Sequence, residues 1–245
     1  MGAEKVVKTR ISILISVFFA VSAMGCGNTA GSNSATSNAQ DTASNLVGTW
    51  NLATCQSAGP LTGAYLTDSV TFTATSMTET EKTFTDSACQ NLAETTVATA
   101  TYSVGATMSS TVVGFAIYGN DINFTFTDIT ITPNTSTAAS NYNSKGTNGF
   151  CGLQIWASGT AVDVTGKTDT SSSCSFPASG TLSYQIFTLG TGSGNTFSPG
   201  TSPVNAVEFG NGSTNSQMDP DLVIWNGDAS ASQAPTAFGN LFFSK

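Results

Sequence analysis

The chain of 245 residues has no histidine, and Arg10 is its only arginine. Beyond residue 25 the basic residues are Lys82, Lys145, Lys167 and Lys245, against fourteen Asp and Glu, a net charge of −10. Each absence excludes a chemistry. Without His, neither a Ser-His-Asp nor a Cys-His arrangement can form. Without clustered Lys and Arg, nothing can neutralise a run of phosphates, so nucleic acid is not expected as a partner. An anionic lipid surface is excluded as an electrostatic partner for the same reason. Charged residues make up only 9% of the chain, so Thr, Ser, Asn and Gly fill the polar positions. That composition is poor for helices and suits strands.

The carboxylates are scattered. Glu79 and Glu81 fall on one strand face, and Asp219 and Asp221 flank Pro220. Paired carboxylates are the machinery of glycoside hydrolysis, but the expectation for these is solvated charge on a strand face or loop. Asp219, Asp221 and Asp228 offer oxygen ligands at a spacing that matches no calcium loop. The chain is therefore expected to be non-enzymatic, with no cofactor and no metal.

The N-terminus is built as a targeting segment. Lys5, Lys8 and Arg10 precede an uncharged apolar run, Ile11 to Met24, which is shorter than the roughly 20 residues a membrane-spanning helix needs. It ends in Ala23-Met24-Gly25-Cys26, which resembles the lipobox of bacterial lipoprotein precursors. The resemblance implies that residues 1–25 are a signal peptide, that Cys26 takes a diacylglycerol, and that its freed amino group is acylated. Ala23 stands where Leu is usual, and Met24 where a smaller residue is usual. An ordinary signal peptide cut near Gly25 is the other reading. Gly27 in place of Asp implies, by resemblance to Gram-negative lipoproteins, a cell-envelope protein of the outer membrane. The membrane would then be reached through the lipid anchor alone, and two or three acyl chains make such an anchor stable.

Setting Cys26 aside leaves Cys55, Cys89, Cys151 and Cys174. An even number in an oxidising compartment points to two disulfides. Of three pairings, Cys55–Cys89 and Cys151–Cys174 are expected, because each pair is close in sequence and flanked by strand-like segments. A metal site is the alternative, weakened by the lack of His and of any Cys-x-x-Cys spacing.

Residues 26–45 have Ala as almost their only apolar type and read as a flexible tether with a reach of roughly 25 Å. From Leu46 to Lys245 the pattern is strands. Val70 and Phe72 alternate with Thr, as do Ala98, Ala100, Tyr102 and Val104 with Thr and Ser. Val113, Phe115 and Ile117, then Gly119-Asn120, then Ile122, Phe124 and Phe126 read as a hairpin turning at 119–120. The apolar phase then slips to Ile129 and Ile131, which predicts a bulge near Thr127–Asp128. A similar slip runs from Leu182, Tyr184 and Ile186 to Phe187 and Leu189. Residues 133–149 form a long polar loop around Tyr142, and 190–203 and 210–220 are further connections. Short helices are expected, if anywhere, at Thr85–Leu92 or Asp228–Thr236. Trp225, before the Asn226-Gly227 turn, is expected in the core.

The domain opens with Gly48-Thr49-Trp50, which resembles the opening motif of lipocalins. Cys151-Gly152-Leu153-Gln154-Ile155-Trp156, Asp163-Val164-Thr165-Gly166-Lys167 and Phe84-Thr85-Asp86-Ser87-Ala88-Cys89 are similar to segments of small lipocalin-like lipoproteins of Gram-negative bacteria. The resemblance implies an all-β fold: an antiparallel, up-and-down, lipocalin-like β-barrel of about 8–10 strands over residues 46–245, with Trp50 plugging the closed end. Lipocalins usually pack an Arg from the last strand across this Trp. Here Lys245 is the substitute on offer. A barrel of this size holds one small ligand or is filled by its own side chains. Tyr102, Phe124, Phe126, Trp156 and Tyr184 are the candidates for an inner wall that binds a small apolar or amphipathic ligand. The alternative is a filled barrel whose loops, Tyr142 among them, contact a protein or glycan. A monomer is expected in either case.

Overall fold

The structure is a computed structural model that describes residues 41–52, 54–57, 63–112, 115–193, 196–211 and 237–245. The expected signal peptide, Cys26, most of the expected tether, Asp219, Asp221, Trp225 and the helix expected at Asp228–Thr236 lie outside the described residues.

A short helix, α1 (Ala43–Leu46), leads into β1 (Gly48–Leu52). There follow β2 (Gln56–Ser57), β3 (Tyr65–Phe72), β4 (Ser76–Phe84), β5 (Leu92–Val112) and β6 (Phe115–Pro133). An excursion carries α2 (Ser136–Ser144), a single 3-10 turn (Phe150–Gly152), β7 (Val162–Asp163), β8 (Thr168–Asp169) and β9 (Cys174–Ser175). The chain returns as β10 (Leu182–Ser193), β11 (Thr196–Pro199), β12 (Ala206–Asn211) and β13 (Ala237–Ser244).

The main sheet is antiparallel and ring-like. Its path runs β10-β12-β13-β1-β3-β4-β5-β6, and β6 then pairs β10, so eight strands follow one another around the ring in chain order. Alternation explains the faces, because successive side chains in a strand point opposite ways. On β3 the buried set is Leu66, Asp68, Val70 and Phe72. On β5 it is Thr96, Ala98 and Ala100, with Tyr102 half-buried beyond them.

The bulge falls where the phase slip predicts it. Thr99 pairs Asp128 and Ala100 pairs Phe126, so Thr127 is the extra residue. That insertion lets Ile129 and Ile131 share the inner face with Phe124 and Phe126. Both expected disulfides are present, with Cα–Cα distances of 5.9 Å for Cys55–Cys89 and 5.2 Å for Cys151–Cys174. Each typically contributes about 2–4 kcal/mol.

Several expectations are corrected. Gly119-Asn120 is not a turn: Gly119 pairs Met108 and Asn120 pairs Thr107, so β6 runs straight through from Phe115, which pairs Val112. Continuous pairing along both strands outweighs the local turn signal. Residues 136–144 of the polar loop are helical, and Thr135 caps that helix by accepting from the Ala138 N–H at 3.0 Å. Thr85–Leu92 is not a helix. The Asp86 carboxylate accepts from the backbone N–H groups of Ala88, Gln90 and Asn91, which curls the segment into a turn. Residues 190–193 and 196–199 pair as β10 and β11 rather than forming a connection. Residues 41–45 are not free chain: Asp41 is buried and its carboxylate accepts from the Leu189 N–H at 2.7 Å, against the strand that closes the ring.

First and last strands meet at one end of the ring. Trp50 is fully buried and donates from its indole N–H to the Leu46 carbonyl at 2.6 Å. Lys245 lays its ammonium 4.2 Å from the centre of the Trp50 ring and donates to the Val47 carbonyl at 3.1 Å. Gly48 makes this approach feasible. Its φ is +131°, and a Cβ there would stand 3.1 Å from Lys245 Cε. Gly48→Ala is expected to destabilise the fold by about 1–3 kcal/mol, and Lys245→Ala by about 1–2 kcal/mol. Denaturant unfolding of the double variant should show less than the summed loss, since part of the alanine's cost is its crowding of Lys245. Strict additivity would mean the two residues act separately.

Candidate functional site

The ring interior divides along its length. Toward the Trp50 end it is aromatic. Phe72 on β3 meets Tyr102 of β5 edge-on at 5.2 Å, and its ring lies 6.4 Å from Phe124 of β6 and 6.3 Å from Phe209 of β12. These contacts cross the ring, which fixes this face as the interior. The Tyr102 hydroxyl donates to the Thr73 carbonyl at 2.8 Å, pinning the β3–β4 turn.

Toward the other end the same face is acidic. Asp68 stands opposite Glu81, and Glu81 opposite Thr96. Glu79 lies one layer closer to the aromatic half, opposite Val70 and Ala98. All of these residues but Val70 and Ala98 are polar, and all are buried. Glu94 follows at the rim, accepting from the Thr96 hydroxyl at 3.3 Å and from the Tyr142 hydroxyl. The expectation that Glu79 and Glu81 are solvated is therefore overturned. They sit on the face of Met77, which packs inward, so alternation carries them inside.

Asp68 is the extreme case. It is 3% exposed, and its carboxyl meets the Glu79 side chain and the Ser69 backbone N–H. Burial pushes its carboxyl well above the usual carboxylate range, and the adjacent Glu79 pushes it further through its charge and the contact of the two carboxyls. Lys82 is exposed on β4, on the face opposite Glu79 and Glu81; Lys145 covers the Phe150 ring, Lys167 sits in a turn, and Lys245 covers Trp50.

A small aromatic cluster borders the acidic end. Tyr142 of α2 stacks on Phe150 at 4.7 Å and lies 4.6 Å from Trp156. Asn143 holds the Trp156 backbone from both sides, and the Cys151–Cys174 bridge ties the excursion together. Of the five wall candidates, Tyr102, Phe124 and Phe126 are on the inner face. Trp156 is buried in this border cluster rather than on a ring strand. Tyr184 faces outward. Ser183 pairs Phe124 and Gln185 pairs Ile122, so those two polar residues take the inner face and the expected Leu182-Tyr184-Ile186 phase is reversed. Tyr142 is half-buried between rings, not an exposed contact residue.

Among the described residues no three His, Cys, Asp or Glu side chains could hold a metal ion. No described helix is long and apolar enough to cross a membrane. Comparison with known proteins gives no match to a family model and none to a curated protein.

Glu208 on β12 is a further buried acid, on the opposite face from Val207 and Phe209, and burial raises its carboxyl to about 8. A carboxyl raised in the folded state keeps its proton at pH values where the unfolded chain has lost it. Asp68 and Glu208 thus favour folding at low pH; for Glu208 that advantage fades as pH climbs from about 4.5 toward 8, and for Asp68 it fades as pH rises through its own raised value. Asp86, Asp163 and Asp169 are held low by hydrogen bonds and contribute above about pH 4, losing their effect below it. The thermal midpoint should be higher at pH 5 than at pH 8, by about 5 °C or more. Glu208→Gln should flatten that fall, and an unchanged slope in the variant would contradict the assignment.

Proposed function

We propose that this chain is a lipid-anchored lipoprotein of the cell envelope, outer membrane favoured, whose folded part is a lipocalin-like β-barrel acting as a non-catalytic binding module. The observation that carries the reading is the closing of eight sequential antiparallel strands onto a Gly48-Thr49-Trp50 opening latched by Lys245. Such rings bind one small ligand inside when side chains leave room. The ligand expected is amphipathic, because the inner face passes from aromatic to acidic within a few residues.

A second reading has its own support. Phe72 touches three other rings across the interior, and an end filled in this way leaves the loops as the working surface. A neutral lipophilic dye separates the two: saturable one-to-one binding supports the module, and no binding supports the filled barrel. For the anchor, Cys26→Ser should move the protein from the membrane fraction to the soluble one. Firm membrane retention of the variant would contradict lipidation at Cys26.

A further inference from the structure

One stretch of sheet runs on beyond the ring. The register of β4 with β5 ends at Thr101, and that of β10 with β6 ends at Asn120. Past those points β5 and β6 pair only each other among the described residues, from Thr107 opposite Asn120 to Val112 opposite Phe115. A register shift between Val104 and Thr107 marks where this two-stranded ribbon leaves the ring, and Gly105, Ala106 and Thr107 are exposed there. Exposed sheet edges are normally protected by charged residues or proline. From Thr95 to Asn120 the sequence has neither.

The ribbon is two-faced. Cross-strand partners share a face, and faces alternate along a strand. The register therefore puts Met108, Val112, Phe115 and Ile117 on one face, and Ser109, Thr111, Ala116 and Tyr118 on the other. Phe115 and Ile117 are out of phase with the buried Ile122 and Phe124, so the apolar face continues the outside of the sheet and not the ring interior. The chain enters the fold beside this ribbon. Asn120 pairs Phe187 at the ribbon's base, and two residues further along β10 the Leu189 N–H donates to the Asp41 carboxylate.

We propose that the apolar face of the β5–β6 ribbon rests on the neutral lipid surface to which Cys26 tethers the chain. The inference rests on the lipid-anchor reading and adds a second contact to it. The lengths agree. Gly27 to Gln40 are fourteen residues, and a chain of that composition has a root-mean-square reach of roughly 20 Å. The ribbon from Asn120 to Phe115 spans about 17 Å at the usual rise per strand residue. An anchor ending at Asp41 thus holds the ribbon within its own length of the lipid, where tethering raises the effective concentration of the surface. A second copy of the chain has no such proximity. So few apolar side chains hold a surface only reversibly, as a single acyl chain does, so the ribbon acts beside the anchor and does not replace it.

The test places the intact, lipid-anchored protein in phosphatidylcholine vesicles doped with a phosphatidylcholine that carries a carbene precursor near its glycerol. After illumination, lipid adducts are mapped by peptide. Peptides covering residues 105–120 should be labelled at least about tenfold more than those of the excursion from Ser136 to Ser175, the contrast between a segment at the headgroup boundary and one in water. Phe115→Asp combined with Ile117→Asp should abolish that labelling while the protein stays anchored. Even labelling of the two regions, or ribbon labelling that survives the two substitutions, overturns the inference and leaves the anchor standing. So does an unlabelled ribbon in a dimer that the substitutions convert to monomer, because a second copy then covers the face. A protein whose mass lacks the diacylglycerol fails the anchor reading, and this inference falls with it. The comparison of peptides needs no variant, so poor folding of the double substitution does not remove the test.

Discussion

A twisted sheet that leaves its first and last strands unpaired exposes two edges. In this protein the remedy is closure, and closure depends on the corner where β1 meets β13. Three residues make that corner. Gly48 takes a backbone conformation that side chains rarely adopt, Trp50 fills the end of the ring, and Lys245 reaches back over both. The final residue of the chain is thus bound to the first turn of the fold through Val47 and Asn45 carbonyls. On the far side, β6 and β10 pair across the long excursion, and Asp41 takes up a backbone N–H of β10 just past that pairing. The contacts across the ring from Phe72 to Phe124 and Phe209 depend on these two seams.

Once closed, the ring forces alternate residues inside whatever their polarity. Strands β3 and β4 carry Thr on one face and a mixture of apolar and acidic residues on the other. The interior therefore holds Asp68, Glu79 and Glu81 beside Val70 and Met77. Burial of the Asp68 carboxyl weakens the fold as pH rises.

Much of this was legible in the residues. Alternation marked the strands, the phase slip from Phe126 to Ile129 located the bulge at Thr127, and sequence proximity paired the cysteines correctly. The failures have physical causes. Carboxylates are usually solvated, which hides the burial of Glu79 and Glu81, yet Met77 in the same phase marks their face as the inner one. In Leu182–Leu189 both faces are buried, so hydrophobicity does not reveal which residues point inward, and cross-strand register with β6 decides for Ser183 and Gln185. Helix α2 has a weak apolar stripe and is held by its Thr135 cap and by Tyr142, signals that a polar loop hides.

A ring interior that is a binding site, and not only a core, should hold a ligand in the intact protein. Native mass spectrometry measures this, and the expected result is a non-covalent adduct of a few hundred daltons, on the scale of a ligand that fits a pocket of this class, which is lost on denaturation. A protein that flies at its bare covalent mass under native conditions, and stays so when offered a lipophilic dye, would contradict a binding role for the interior.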